Sequence, residues 1–148
     1  MRLEAPGYIV DTNVISSKVT FEKHPNVSRW LLEYAELIRI SVISMAEIAK
    51  GLNASEKSIT REREGEDKQR RLRALAEKRD WQNELATSYT GKMEPIDLRV
   101  ATKWAEISTR FPQLRDGDQV ILATAIVNGY SIATRNLRVC PGSFLWIT

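Results

Sequence analysis

Three carboxylates in this sequence stand where they can act together. Asp11 follows the apolar run Tyr8-Ile9-Val10 and opens onto the small polar residues Thr12 and Asn13. Glu47 falls in the first turn of a helix expected after a strand, and Asp118 in the first turn of a helix expected over 116–128. In open parallel α/β sheets ligands and ions collect beyond the carboxyl ends of the strands, and all three acids can face that end. Carboxylates brought close repel and raise one another's pKa values, so such a cluster persists most readily around a divalent cation. Oxygen ligands without histidine or cysteine favour Mg²⁺ or Mn²⁺ over zinc. An ion of this kind keeps several waters, can ionise one as a nucleophile and can stabilise charge building on a phosphoryl group, so the implied chemistry is hydrolysis of a phosphodiester.

Each acid also has a plainer reading. Ser44-x-x-Glu47 has the form of a capping box, in which Glu47 bonds back to the Ser44 backbone. Asp116 and Asp118 suit a helix N-terminus as cap and as charge against the helix dipole. Asp11 can cap its own turn. Agreement among the three positions is what favours a cation site over three separate caps.

The elements that must position these acids follow from periodicity. Val27, Trp30, Leu31, Tyr34, Leu37 and Ile38 predict one amphipathic helix over 26–39. Residues 38–43 predict a strand that enters a helix capped at Ser44, with Gly51 at or just inside its last turn. Composition then turns abruptly charged: residues 61–80 hold eight basic and six acidic side chains. A solvated helix or a connector both fit this balance, while Leu72, Leu75, Ala76, Trp81 and Leu85 keep a helical period, so the second half of the segment is expected to dock and the first to be exposed. Met93 to Asp97 predicts a short strand or extended segment, and Val100, Ala101, Trp104, Ile107 and Phe111 a helix closed by Pro112. Residues 116–128 predict a buried helix stopped by Gly129, and Tyr130 to Thr134 the last clear strand. Strands alternating with helices predict a parallel sheet in a three-layer α/β/α domain.

Length and composition bound the function. With 148 residues, 43% of them hydrophobic, the chain suits a single domain, with a charged helical excursion at about 55–92. The longest mostly apolar run, Val120 to Val127, is far short of the roughly 20 residues that span a bilayer. The first residues lack the apolar core of a signal peptide, and the single cysteine, Cys140, cannot form an internal disulfide, so a cytoplasmic setting is expected. A net charge of +3 tilts only weakly toward a polyanionic partner. The single histidine, His24, excludes more: triads built on histidine and His-rich zinc sites need residues this chain lacks.

With these residues in place the chain resembles the PIN domain family, and within it the toxin ribonucleases of VapBC-type toxin–antitoxin pairs, including FitB-like members. The matching segments are Ile9 to Ser16, Ile43 to Gly51, Asp116 to Ala125 and Ile132 to Asn136, in that order. The resemblance implies a four- or five-stranded parallel sheet and a Mg²⁺- or Mn²⁺-dependent endoribonuclease. It further implies a homodimer held by a VapB/FitA-like antitoxin, with RNA as substrate and DNA met only through the antitoxin. Carried over by position, Asp11, Glu47 and Asp118 become the metal-binding acids with Asp116 as an auxiliary, and Thr12, Asn13 and Thr134 become polar supports. Many family members place a fourth acid where this chain has Val139; Asn136 can offer an amide oxygen instead, and Cys140 reads as a packing residue. That departure keeps a second reading open, a catalytically impaired PIN-like module that binds RNA or protein. A third, a receiver- or phosphatase-like domain phosphorylated on Asp11, is disfavoured by Asn13 and by Arg135, which stand where a second acid and a lysine would serve.

Overall fold

The computed structural model describes residues 6–16 and 24–134, and the backbone of 144–146. In chain order the elements are β1 (Tyr8–Val10), α1 (Thr12–Ser16), α2 (Pro25–Glu33), β2 (Ile38–Ser41), α3 (Val42–Thr60), α4 (Glu66–Ser88), β3 (Met93–Glu94), α5 (Leu98–Arg110), α6 (Asp116–Asn128), β4 (Ser131–Thr134) and β5 (Phe144–Trp146). The strands form one five-stranded sheet in the order β3-β2-β1-β4-β5, with every pairing parallel. Tyr8 pairs with Ile38 on one side and with Ser131 on the other.

Because side chains alternate along a strand, neighbouring residues feed opposite layers. Val10, Ile38, Ile40 and Ala133 pack with Val14, Val27, Leu31, Leu85 and Tyr89, so α1, α2 and the end of α4 cover one face. Ile9 and Ile132 pack with Val100, Ile107, Val120 and Ala123, so α5 and α6 cover the other. The result is the expected three-layer α/β/α arrangement. Chain order reverses beside β1: β2 and β3 are added on one side, β4 and β5 on the other. The crevice at the carboxyl ends of β1 and β4 is therefore the topological switch point, where open α/β sheets hold ligands.

Several boundaries differ from the sequence expectation. The helix expected over 26–39 ends at Glu33, and a 3₁₀ turn over Ala35–Leu37 leads into β2. Trp30 and Tyr34 at this end meet Tyr8 edge to face, with ring centroids 5.2 and 5.6 Å from it. The next helix is capped by Ser41, whose Oγ accepts the Ile43 amide at 3.2 Å, and not by Ser44. Strand β2 thus passes into α3 without a loop, and Glu47 lies in the second turn. Gly51 does not end α3, which continues to Thr60 because Leu52 and Ile59 pack against Leu75 of α4 in a small separate core with Ile48 and Leu72. The charged excursion is accordingly a helical hairpin. Its amino half is α3 and the start of α4, and the end of α4 docks on the body through Leu85. Helix α6 keeps its expected bounds and its Gly129 stop, with φ +71° in the left-handed region. Strand β5, which pairs Phe144 with Ile132, makes the sheet five-stranded, within the four or five expected, at a place the periodicity does not mark.

Candidate active site

Asp11 leaves β1 directly into α1. Its amide donates to the Ala133 carbonyl at 2.9 Å, and its own carbonyl accepts from Val14 at 2.9 Å, so the backbone is fixed on both sides. Only 5% of the residue is exposed. The carboxylate accepts the Thr134 hydroxyl at 3.0 Å across the switch point and also a backbone hydrogen bond from Asn13. Burial pushes its pKa above the ordinary carboxylate value, and the charge of Asp118 adds to the rise, while the Thr134 and Asn13 hydrogen bonds and the Arg115 charge oppose it. Asp11 therefore both caps α1 and holds a carboxylate that is costly to ionise in place.

Glu47 does not close a capping box. Its Oε2 accepts the Thr12 hydroxyl at 2.6 Å, and that hydroxyl lies 3.0 Å from Oγ of Ser44, a fully buried residue one turn earlier in α3. The rest of the carboxylate lies over Gly117: a Cβ added there would collide with it. Glycine in the first turn of α6 is what lets the Glu47 head group reach that helix.

Asp118 is buried in the first turn of α6, and Arg115 grips it with two hydrogen bonds, Nε to Oδ2 at 3.1 Å and Nη2 to Oδ1 at 3.3 Å. Asp118 first, and then Glu47 and Asp11, hold the guanidinium's proton more firmly than usual. Asp118 is its hydrogen-bond partner, while Glu47 and Asp11 act on it by charge alone. Among the described residues, however, no three acidic, histidine or cysteine side chains stand close enough to cage an ion as they are placed. Asp116 is exposed and enters none of these contacts as an oxygen donor to the cluster. Asn136, Val139 and Cys140 lie outside the described residues.

The loop before α6 is set by Gln119, 3% exposed in a helix that is otherwise apolar nearly all round. Its Nε2 donates to the Leu114 carbonyl at 2.9 Å and to that of Phe111 at 3.3 Å, and its Oε1 accepts the Trp104 indole at 3.0 Å. A buried amide so satisfied fixes where Arg115 and Asp118 begin. Arg115, Gly117, Ser44 and Gln119 are the contributors that the sequence reading did not single out for these roles. A cation at a helix N-terminus and a glycine inside a first turn run against helix preferences, and those were the available signals.

Residues 8–140 match the model of the PIN domain family. The chain belongs to the PIN domain family. Among similar proteins is the VapC ribonuclease Y4jK of Sinorhizobium fredii, 26% identical over 133 residues, with 86% of each chain covered. FitAcB from Neisseria gonorrhoeae has a similar solved structure, with TM-score 0.62 and 25% identity, covering 87% of each chain. A toxin–antitoxin complex from Klebsiella pneumoniae shares the fold at TM-score 0.59 and 20% identity, covering 96% of this chain and 97% of the other. Within this PIN domain Thr134 holds the Asp11 carboxylate and Thr12 that of Glu47.

Proposed function

We propose that this PIN domain is a divalent-metal-dependent endoribonuclease, the toxin of a toxin–antitoxin pair, which hydrolyses RNA phosphodiesters. The observation that carries the reading is geometric: Thr134 of β4 bonds Asp11, Thr12 beside Asp11 bonds Glu47, and the Glu47 head group lies over Gly117 next to Asp118, so carboxylates from three separate segments converge at the switch point. The donor chemistry fits Mg²⁺ or Mn²⁺: these are hard oxygens, and the burial of Asp11 beside Asp118 leaves negative charge that a cation would relieve. Asp11, Glu47 and Asp118 would hold the ion, which when bound supplies positive charge toward a phosphoryl group and acidifies water. Thr134 and the Asn13 amide orient the Asp11 carboxylate, while Thr12 holds Glu47 against α6. Asp116, exposed in the first turn of α6, would be an auxiliary ligand, and Asn136 a further source of an amide oxygen. The ribonuclease relative supports RNA as substrate and the toxin–antitoxin complex an antitoxin partner; in this reading that antitoxin is of the VapB/FitA kind, DNA is met through it, and the toxin pairs as a homodimer. No helix among the described residues is long and apolar enough to cross a membrane.

A second reading, in which the domain binds RNA or protein without turnover, rests on Val139 standing where many family members place an acid. One experiment separates the two. Purified wild-type chain with Mn²⁺ should cut RNA, and Asp11→Asn should not, with its circular dichroism unchanged. Equal cleavage by both proteins would remove Asp11 from the chemistry, and binding of RNA without cleavage by the wild type would favour the second reading.

A further inference from the structure

We propose that Arg115 is the resident counter-cation of this site: its guanidinium holds Asp118 while no divalent cation is bound and must release it for one to bind, so this side chain sets how tightly the site takes the metal. The inference rests on the nuclease reading above and deepens it.

Arg115 engages both carboxylate oxygens of Asp118, at 3.1 and 3.3 Å, so its positive charge competes with an incoming ion for the same carboxylate. Its position is otherwise unfavourable. Arg115 is the N-cap of α6, where serine, threonine, aspartate and asparagine are preferred, and it makes no side-chain cap. A cation there also opposes the helix dipole. The acids are what compensate for both. The two partners differ in freedom: the Arg115 side chain is 68% exposed and that of Asp118 8%. Arg115 can swing into solvent without disturbing the core, whereas Asp118 is fixed by the helix. The exchange is therefore one of Arg115 leaving, and the apparent dissociation constant for the metal exceeds the intrinsic one by the reciprocal of the fraction of molecules in which Asp118 is free.

The test is calorimetric titration of the full chain with Mn²⁺ alone, comparing wild type, Arg115→Gln and Arg115→Lys. Arg115→Gln should bind Mn²⁺ about two- to fivefold more tightly, the range expected for release of an exposed two-point ion pair. Arg115→Lys keeps the charge and loses the fork, so its dissociation constant should fall between those two. Without metal Arg115→Gln should melt below wild type, and it should gain more on addition of Mn²⁺, since tighter binding gives the larger stabilisation. Equal or weaker binding by Arg115→Gln would overturn the proposal, as would an Arg115→Lys protein indistinguishable from wild type, which would mean that charge alone acts and no clamp is released. If Arg115→Gln fails to fold, Arg115→Lys carries the test by the same criterion. Absence of Mn²⁺ binding to wild type and both variants would instead remove the cation site, and the nuclease reading would fall with it.

Discussion

The tip of the α3–α4 hairpin and the carboxyl end of the sheet are both rich in charge, and they use it in opposite ways. Across residues 61–80 eight basic and six acidic side chains nearly balance. They pair locally, as Lys68 with Glu64 and Arg70 with Asp67, or across the hairpin, as Arg71 with Glu62 and Arg79 with Glu56, mostly in solvent. Exposed pairs of this kind contribute about 0–1 kcal/mol each. At the sheet end three acids face one arginine, two of the acids are buried, and burial shifts the Asp11 pKa upward. Few charges in low dielectric thus matter more than many in water, and the density of charge along a sequence does not reveal where it is energetic.

That contrast can be tested by substitution. The largest effect is expected at Asp11: Asp11→Asn should lower RNA cleavage by about 10²–10³-fold, the scale seen when a preorganised electrostatic group is lost. The same change should stabilise the metal-free protein. Because the folded pKa of Asp11 lies above its ordinary 3.8, the folded chain binds more protons than the unfolded one between those values, and stability falls as pH rises through that window. At neutral pH the wild type carries this cost and Asp11→Asn does not, so its melting temperature should be higher, by about 2–4 °C per kcal/mol recovered at this chain length. A lower melting temperature for Asp11→Asn would contradict the burial argument.

Next in size is the core that supports each region. Leu85→Ala, in the main core, should cost about 2–5 kcal/mol in chemical denaturation. Leu75→Ala, in the hairpin's small core, should cost less and leave RNA cleavage by the folded protein unchanged. Equal global losses from the two would show that the hairpin and the sheet unfold as one unit, which weakens the contrast between them.

Gly117→Ala is expected to act locally. Its Cβ would push the Glu47 carboxylate off α6, and because that head group is the mobile end of its side chain, the fold should survive. Cleavage should drop about tenfold, equivalent to about 1.4 kcal/mol. Unchanged cleavage would mean that Glu47 does not work from the position it holds. Smallest of all should be Arg79→Ala, which breaks the 2.7 Å pair with Glu56: less than about 1 kcal/mol in denaturation and no change in activity.

What the sequence could reveal divides along the same line. Helix α6 was legible end to end because an apolar run, two acids at its start and Gly129 at its stop agree. The places of Asp11 and Asp118 were legible because one follows a strand and the other opens a helix, whereas Glu47 lies a turn deeper in its helix than expected. The cap of α3 was not legible, since Ser41 and Ser44 are both serines at a plausible start, and only their partners, the Ile43 amide on Ser41 and Thr12 on Ser44, separate them. Gly51 misled because packing across the hairpin overrides its weak helix preference. Strand β5 has three residues and depends on β4 for its existence, too little for a pattern to show. Arg115 was hidden because its partner is Asp118, three residues on, and an arginine there reads as ordinary surface charge until the burial of Asp118 is known.

The central claim, that these carboxylates make a cation-dependent site for cutting RNA, is tested most directly by one measurement: the rate of RNA cleavage by the wild-type chain with Mn²⁺, after EDTA, and after Mn²⁺ is restored in excess. The account predicts cleavage that EDTA abolishes and Mn²⁺ restores, with Asp118→Asn inactive throughout. Cleavage at the same rate in EDTA, or by Asp118→Asn, would contradict it.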